Sequence, residues 1–207
     1  MTEQYSALSG LIIPFSRAME ACNIDSTQAL KACGIDSHTL QDQEARISSQ
    51  KFNVLVDYCN QQLESNDFSI QVAKQFQPSM FHVLGYAMMS SSSLKDALGR
   101  IVKYKQVLSN SSELSLIEDG TDLIFNMTLF SRPDSDEKVL SRCVVETWLG
   151  TIVQFARELV DQTLELKKVV LCYPKPDHDT GYLNDYFQCD VEFSAATSML
   201  VFDLQQA

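Results

Sequence analysis

The chain has 207 residues, 45% of them hydrophobic, which is enough for one domain or two small ones with a substantial core. A formal net charge of −11 disfavours a nucleic-acid-binding surface, because phosphates are repelled wherever cations are not clustered. The N-terminus lacks the basic region of a signal peptide, and no apolar run reaches the roughly 18 residues that span a membrane, so we expect a soluble, cytoplasmic protein.

The first half of the chain has the periodicity of helices. The first predicted helix holds Pro14 in its opening turn, where a proline sacrifices no hydrogen bond. Asp25 and Ser26 start the second, which ends before Gly34 in a left-handed conformation. Two further helices follow, one led by Arg46-Ile-Ser-Ser and one over residues 68–76.

The stretch from Met80 to Asn110 joins an apolar segment to an amphipathic helix. Ser93 is the predicted N-cap of this helix, and Asp96 lies where a carboxylate meets the positive helix end. Apolar residues recur at steps of three and four, so one stripe faces a core: Leu94, Ala97, Leu98, Ile101, Tyr104 and Leu108. The four serines before the helix favour a tight turn over a phosphate loop, which would need glycines and a Lys-Ser or Lys-Thr pair.

The pattern changes after residue 110. Apolar residues alternate between Leu114 and Leu129, and the Asp119-Gly120 pair between the two runs predicts an antiparallel hairpin. A helix over 139–160 is apolar around much of its circumference, as in a central packing helix. A strand over 169–173 is followed by a helix capped by Asp177, and then by two closing strands over 191–193 and 199–202.

These elements predict an α+β fold in which N-terminal helices pack with a small antiparallel sheet and a long central helix. We expect a single domain over 1–207, with a helical subregion over about 1–110 and an α+β subregion over about 111–207.

Catalytic and metal sites are poorly supported by the sequence. The six cysteines are spread singly, without zinc or redox spacing, and are expected to be free thiols. Asp177-His178-Asp179 beside Cys189 lacks nucleophile-elbow glycines, and a solvated loop is the preferred interpretation, so no enzymatic activity is expected. No cofactor is expected, although a haem held by His82 remains an alternative.

A basic patch interrupts the acidic chain at Arg100, Lys103 and Lys105. Asp96 and Arg100 have the i,i+4 spacing of a surface ion pair, which accounts for part of the patch. The alternative is that Arg100 or Lys103 pairs with a ligand carboxylate. Arg142 and Trp148 on the long helix are further candidates for ligand contacts.

Two stretches resemble a known family. Leu84-Gly-Tyr-Ala-Met-Met-Ser-Ser-Ser-Ser-Leu-Lys-Asp-Ala-Leu98, continued by Ile101 and Tyr104, is similar to a pattern in the N-terminal sensor domain of AraC/XylS-type bacterial transcription regulators, in its arabinose-binding-like variant. The ending Tyr186-Phe-x-Cys-x-Val-x-Phe193 through Leu200-Val-Phe-Asp203 also resembles that family.

The resemblance implies a cytoplasmic regulator domain that senses a small-molecule effector, forms a homodimer and reaches promoter DNA only through a C-terminal helix-turn-helix domain absent from this chain. A haem- or gas-sensing module is the alternative. We expect the effector pocket between the sheet and the central helices, with Arg100 or Arg142 anchoring an acid group. The predicted lining is His82, Tyr86, Arg100, Tyr104, Phe125, Met127, Arg142 and Trp148.

Overall fold

A computed structural model describes residues 5–36, 38–42, 44–132, 136–160 and 164–207, without the side chains of Leu40, Phe81 and His82. The described residues form eight α-helices and three short 3₁₀ turns. The helices are α1 (Ile12–Ala21), α2 (Ser26–Ala32), α3 (Ser49–Asn60), α4 (Phe68–Lys74), α5 (His82–Met89), α6 (Leu94–Leu108), α7 (Arg142–Leu159) and α8 (Gly181–Phe187).

The strands form two sheets. A small antiparallel pair joins β1 (Ser6–Leu8) to β2 (Arg46–Ser48), which the sequence pattern did not predict. The larger sheet has the order β3-β4-β7-β5-β6. Its strands are β3 (Ser112–Asp119), β4 (Asp122–Leu129), β5 (Leu166–Val170), β6 (Val191–Glu192) and β7 (Ser198–Asp203).

The α+β class is confirmed, but the sheet is not wholly antiparallel. Strand β6 runs parallel to β5, while the other pairs of the larger sheet are antiparallel. Helix α8 lies between these two strands in the chain and acts as a crossover, which is the kind of connection that parallel neighbours require.

Local signals in the sequence account for several element boundaries. The side chain of Ser93 accepts a hydrogen bond from the amide of Asp96 at 3.1 Å, as predicted for the start of α6. Asp25 caps α2 in the same way, and Gly34 after it has a φ of +66°. The predicted cap at Asp177 is wrong, because α8 begins at Gly181, four residues later, and a loop separates the two.

Helix α7 is the centre of the packing. It lies against α3, α4 and α8, and buried residues occur on several of its faces, as its circumferential apolar pattern indicated. Gly150 allows the close approach of α4, because a Cβ built on it would lie 2.8 Å from the Cβ of Ala73. None of the helices in the described ranges is long and apolar enough to cross a bilayer.

Lys167 ties the larger sheet together at one edge of the hairpin. Its ammonium lies 2.7 Å from Asp122 Oδ1 and 3.0 Å from Asp203 Oδ2. Hydrogen bonding from Lys167 is the main cause that lowers the pKa of Asp122, whereas the pKa of Asp203 is lowered first by the Gln205 amide and then by Lys167. The same carboxylates raise the pKa of Lys167.

These shifts predict the pH dependence of a Lys167→Met variant. A carboxylate with a lowered folded-state pKa stabilises the fold above its unfolded pKa of about 4, and this contribution is lost as the pH falls through the folded value. The variant should therefore be less stable than the parent at pH 7, and the difference should shrink below about pH 4. Urea unfolding at several pH values measures the difference in stability. The control is Lys168→Met, because Lys168 pairs with the exposed Glu192. An undiminished difference at pH 3 would contradict the assignment.

Candidate ligand pocket

A cavity lies between the N-terminal helices and one face of α7. Four residues of α7 at helical spacing, Val144, Thr147, Trp148 and Thr151, form one wall. The opposite walls come from β1, the turn before α1, α1, α3, the segment after α4 and the end of α6. We call this cavity the Trp148 pocket, and its remaining lining is Ala7, Leu11, Phe15, Ser49, Phe52, Phe76, Ser109 and Leu140.

The Trp148 pocket is narrow and mostly apolar. The empty space between its atoms is about 450 Å³, which includes part of the opening to solvent. The space that the centre of a water molecule can occupy is only about 30 Å³. The first figure falls in the range of small-molecule sites, and the second is close to the space of one or two water molecules. A ligand of drug size would therefore have to part the walls of the resting pocket.

Three serines form the polar end of the pocket. The hydroxyl groups of Ser49 and Ser111 are 2.5 Å apart, and Ser109 donates a hydrogen bond to the Ser111 hydroxyl at 3.2 Å. Ser111 is fully buried behind the two lining serines. Because a hydroxyl group both donates and accepts, this end can hydrogen-bond either kind of neutral polar group.

The serine end is joined to the start of the chain. Ala7 of β1 forms an isolated antiparallel bridge with Ser109, and the Ser6 amide donates to Asn110 Oδ1 at 2.8 Å. The connection from α6 to β3 therefore lies on the pocket wall and is hydrogen-bonded to β1. Both segments therefore border the pocket.

Another face of α7 carries a buried ionic cluster. The Glu146 carboxylate, which is fully buried, accepts hydrogen bonds from Arg142 at 2.8 Å and from Ser69 at 2.5 Å. The hydroxyl groups of Tyr173 and Tyr182 donate to it at 2.6 and 3.1 Å. We call these five residues the Glu146 cluster, and it links α7 to α4, α8 and the segment after β5.

The environment of the cluster fixes its protonation. Burial is the main cause that raises the pKa of both tyrosines, and the neighbouring Glu146 carboxylate raises it further. The pKa of Arg142 is also raised: burial opposes its charge, but the pairing with Glu146 prevails. Tyr173 and Tyr182 therefore remain protonated hydrogen-bond donors at neutral pH.

The eight residues predicted as ligand-binding are not brought together in one cavity. Trp148 lines the pocket, while Arg142 belongs to the Glu146 cluster and is paired there. Arg100 and Tyr104 line an open surface groove between α6 and β3, where Arg100 pairs with Asp96 as predicted. Tyr86 is 68% exposed, Phe125 and Met127 are packed in the core, and the side chain of His82 is outside the described residues.

The Trp148 pocket is not at the position predicted for the effector pocket, between the sheet and the central helices. Phe125 and Met127 point inward from β4 and are at most 2% exposed, so the space between the sheet and the helices is filled at these positions. The pocket instead depends on hydroxyl residues that sequence reasoning missed, because serines near helix ends are typical of caps and turns. Glu146 was also missed, although a charged residue four positions after Arg142 in an apolar helix is a visible signal.

The groups considered for catalysis do not line a common groove among the described residues. His178 lines a surface groove with acidic residues of α8 and the α3–α4 connection, and Cys189 is not part of that groove. Burial raises the pKa of the Cys189 thiol, which disfavours the reactive thiolate. All six cysteines are free, as expected, and the described residues contain no group of three His, Cys, Asp or Glu side chains that could hold a metal ion.

Comparisons with known proteins agree with the fold. A search of curated protein sequences finds no match. Among solved structures, the chain is similar to the crystal structure of transcriptional regulator CdpR from Pseudomonas aeruginosa, with a TM-score of 0.58 and 13% sequence identity. The match covers 93% of this chain and 54% of that one, so the chain spans about half the length of this relative.

One protein-family model matches most of the sequence. The model described as the arabinose-binding domain of AraC transcription regulator, N-term, matches residues 24–207. The match includes α2 to α8 and the whole larger sheet. The chain therefore belongs to the family of N-terminal arabinose-binding domains of AraC transcription regulators.

Proposed function

We propose that this ligand-binding regulatory domain senses a small effector in the Trp148 pocket and transmits its binding to a DNA-binding domain elsewhere in a homodimeric, cytoplasmic regulator. The observation that carries the proposal is the pocket itself: a concave site with apolar walls and a few convergent hydroxyl groups. The family supports a regulatory role, and the single domain over 1–207 is part of the same proposal.

The pocket offers a physical route for the signal. An effector shifts a conformational equilibrium only if it binds one state more tightly than the other. Because the resting pocket is narrow, an effector that parts its walls would favour a state in which α7 and the Ala7–Ser109 bridge are displaced. The strand β3 follows that bridge directly and forms an edge of the larger sheet, so the displacement would reach the surface.

Filling the pocket should abolish binding without unfolding the protein. Ala7 is 6% exposed and lines the pocket, so an Ala7→Leu substitution adds three carbons at its mouth while leaving β1 hydrogen-bonded. We expect the uncharged dye N-phenyl-1-naphthylamine to brighten on binding the parent chain and to lose at least about tenfold in affinity for the variant. Fluorescence titration measures both, and circular dichroism checks the fold.

The matched control is Ala45→Leu. Ala45 is half-buried beside β2 and does not line the pocket, so the same three carbons should leave dye binding unchanged. Dye affinity that stays at the parent value in both variants would show that the dye binds elsewhere. Equal loss in both would show that the effect comes from general destabilisation, and either result would contradict the proposal.

A further inference from the structure

None of the described residues that line the Trp148 pocket has an ionisable side chain. The lining residues are alanine, leucine, valine, phenylalanine, tryptophan, serine and threonine. Placing an ionised carboxylate or ammonium group among such residues is unfavourable unless an opposite charge or several hydrogen bonds compensate for the lost water. A charged effector would therefore need a partner from the elements that surround the pocket.

Three of the cations on or beside these surrounding elements are already engaged. Arg142 of α7 is paired with Glu146 at 2.8 Å, and Lys105 of α6 lies 3.3 Å from Glu113 while also donating to the Ser112 carbonyl. Arg46 of β2 donates to the Ser6 hydroxyl and to the carbonyl oxygens of Ser6 and Val107. Recruiting any of the three to a ligand would break contacts that hold the fold together.

The polar groups of the pocket suit a neutral ligand with one polar end. Ser49 and Ser109 border that end, and both are hydrogen-bonded to Ser111. Because Ser109 donates its proton to Ser111, its oxygen can only accept from a ligand hydroxyl group. When Ser111 in turn donates to Ser49, the Ser49 hydroxyl group can donate to a ligand hydroxyl or carbonyl oxygen. On the α7 wall, the Thr147 hydroxyl is already directed at the carbonyl oxygens of Cys143 and Ser69. A sugar, with a hydroxyl group on nearly every carbon, would leave most of its polar groups unpaired here.

The rest of the pocket is suited to hydrocarbon. Phe15 and Phe52 pack directly against each other in its wall, with ring centroids 5.5 Å apart and planes tilted by 58°. Leu11, Phe76 and Leu140 complete the apolar wall. The volume between the atoms is in the range of small-molecule sites.

We infer that the effector of the Trp148 pocket is an uncharged, predominantly apolar molecule with one polar group at the serine end, either a hydroxyl group that hydrogen-bonds to Ser49 and Ser109 or a carbonyl group that accepts from Ser49. This inference rests on the proposed function, because it assigns the chemical class of ligand to the same pocket. It replaces the expectation that Arg100 or Arg142 anchors an acid group, since neither residue lines this pocket.

A matched series of probes tests the charge. Trp148 is the only tryptophan of the chain, so its fluorescence reports this pocket. We expect 1-octanol to change Trp148 emission saturably, while octanoate and octylammonium, which have the same chain length, bind at least about tenfold more weakly. L-arabinose should leave the emission unchanged. Octanoate, octylammonium or L-arabinose binding as tightly as 1-octanol would overturn the inference while leaving the pocket in place.

A serine pair tests the polar end. Ser49→Ala should weaken 1-octanol binding by about three- to tenfold, because one hydrogen-bonding group of the pocket is lost. Ser90→Ala, at an exposed serine of the α5–α6 turn, should leave it unchanged. Unaltered binding by Ser49→Ala would overturn the proposed contact. If none of the probes changes Trp148 emission, the inference and the proposed function both fail.

Discussion

Replacing Glu146 by alanine is expected to lower the free energy of unfolding by about 3–5 kcal/mol. Glu146 has no exposed surface, and its carboxylate is the shared acceptor for Arg142, Ser69, Tyr173 and Tyr182. Removing it leaves a guanidinium group without its ion pair and three hydroxyl groups without this acceptor. Urea unfolding followed by circular dichroism at neutral pH measures the change.

Two further variants separate charge from surface effects. Glu146→Gln keeps the size and one carbonyl acceptor, so its loss should be smaller than that of Glu146→Ala but still clear, because Arg142 remains uncompensated. Glu118 pairs with Lys95 at 2.8 Å on the surface, and both side chains are about half exposed, so Glu118→Ala should change stability by less than about 1 kcal/mol. Similar losses in Glu146→Ala and Glu118→Ala would contradict the role of the cluster.

A Gly150→Ala substitution should destabilise the fold by about 1–3 kcal/mol, although alanine is the better helix former. The added Cβ would lie 2.8 Å from the Cβ of Ala73 and 3.3 Å from the ring of Tyr186, so α4 or α8 must shift. Tyr186 also donates a hydrogen bond to the Gly150 carbonyl at 2.8 Å, which limits how far its ring can move away. Denaturant unfolding gives the value.

The clash can be relieved from the other helix. Ala73→Gly removes the methyl group that the new Cβ would meet, at a cost of about 0.5–1 kcal/mol for a glycine within α4. The Ala73→Gly/Gly150→Ala double variant should then be more stable than the sum of the two single changes predicts, as a double-mutant cycle measures. Strictly additive changes in the free energy of unfolding would show that the Cβ atoms at positions 73 and 150 do not clash.

The elements with strong local signals were predictable from the sequence. Asp119-Gly120 between two alternating runs predicts the β3–β4 hairpin, and Ser93 predicts the start of α6, because each signal acts within a few residues. Strands β1 and β2 were not predicted, since three residues are too few to show an alternating pattern. The parallel pairing of β6 likewise depends on where the α8 crossover returns the chain.

The pocket was less predictable than the fold. Trp148 could be selected because a large aromatic residue stands out on the central helix. Ser49 and Ser109, in contrast, are 60 positions apart and become neighbours only through Ser111 and the β1 contacts. The charged residues drew attention in the sequence because they could bind an acid. Their partners on adjacent turns, Asp96 and Glu146, already satisfy Arg100 and Arg142.

The most direct test of the central claim is to locate a bound neutral probe by intermolecular nuclear Overhauser effects, using the chain with 1-octanol. Trp148 gives a single indole signal, because the chain has no other tryptophan. We predict contacts from the methylene groups of the probe to the indole of Trp148 and to the ring of Phe15, which line the same pocket. Contacts to Tyr104 in the α6–β3 groove, with none to Trp148, would contradict the account.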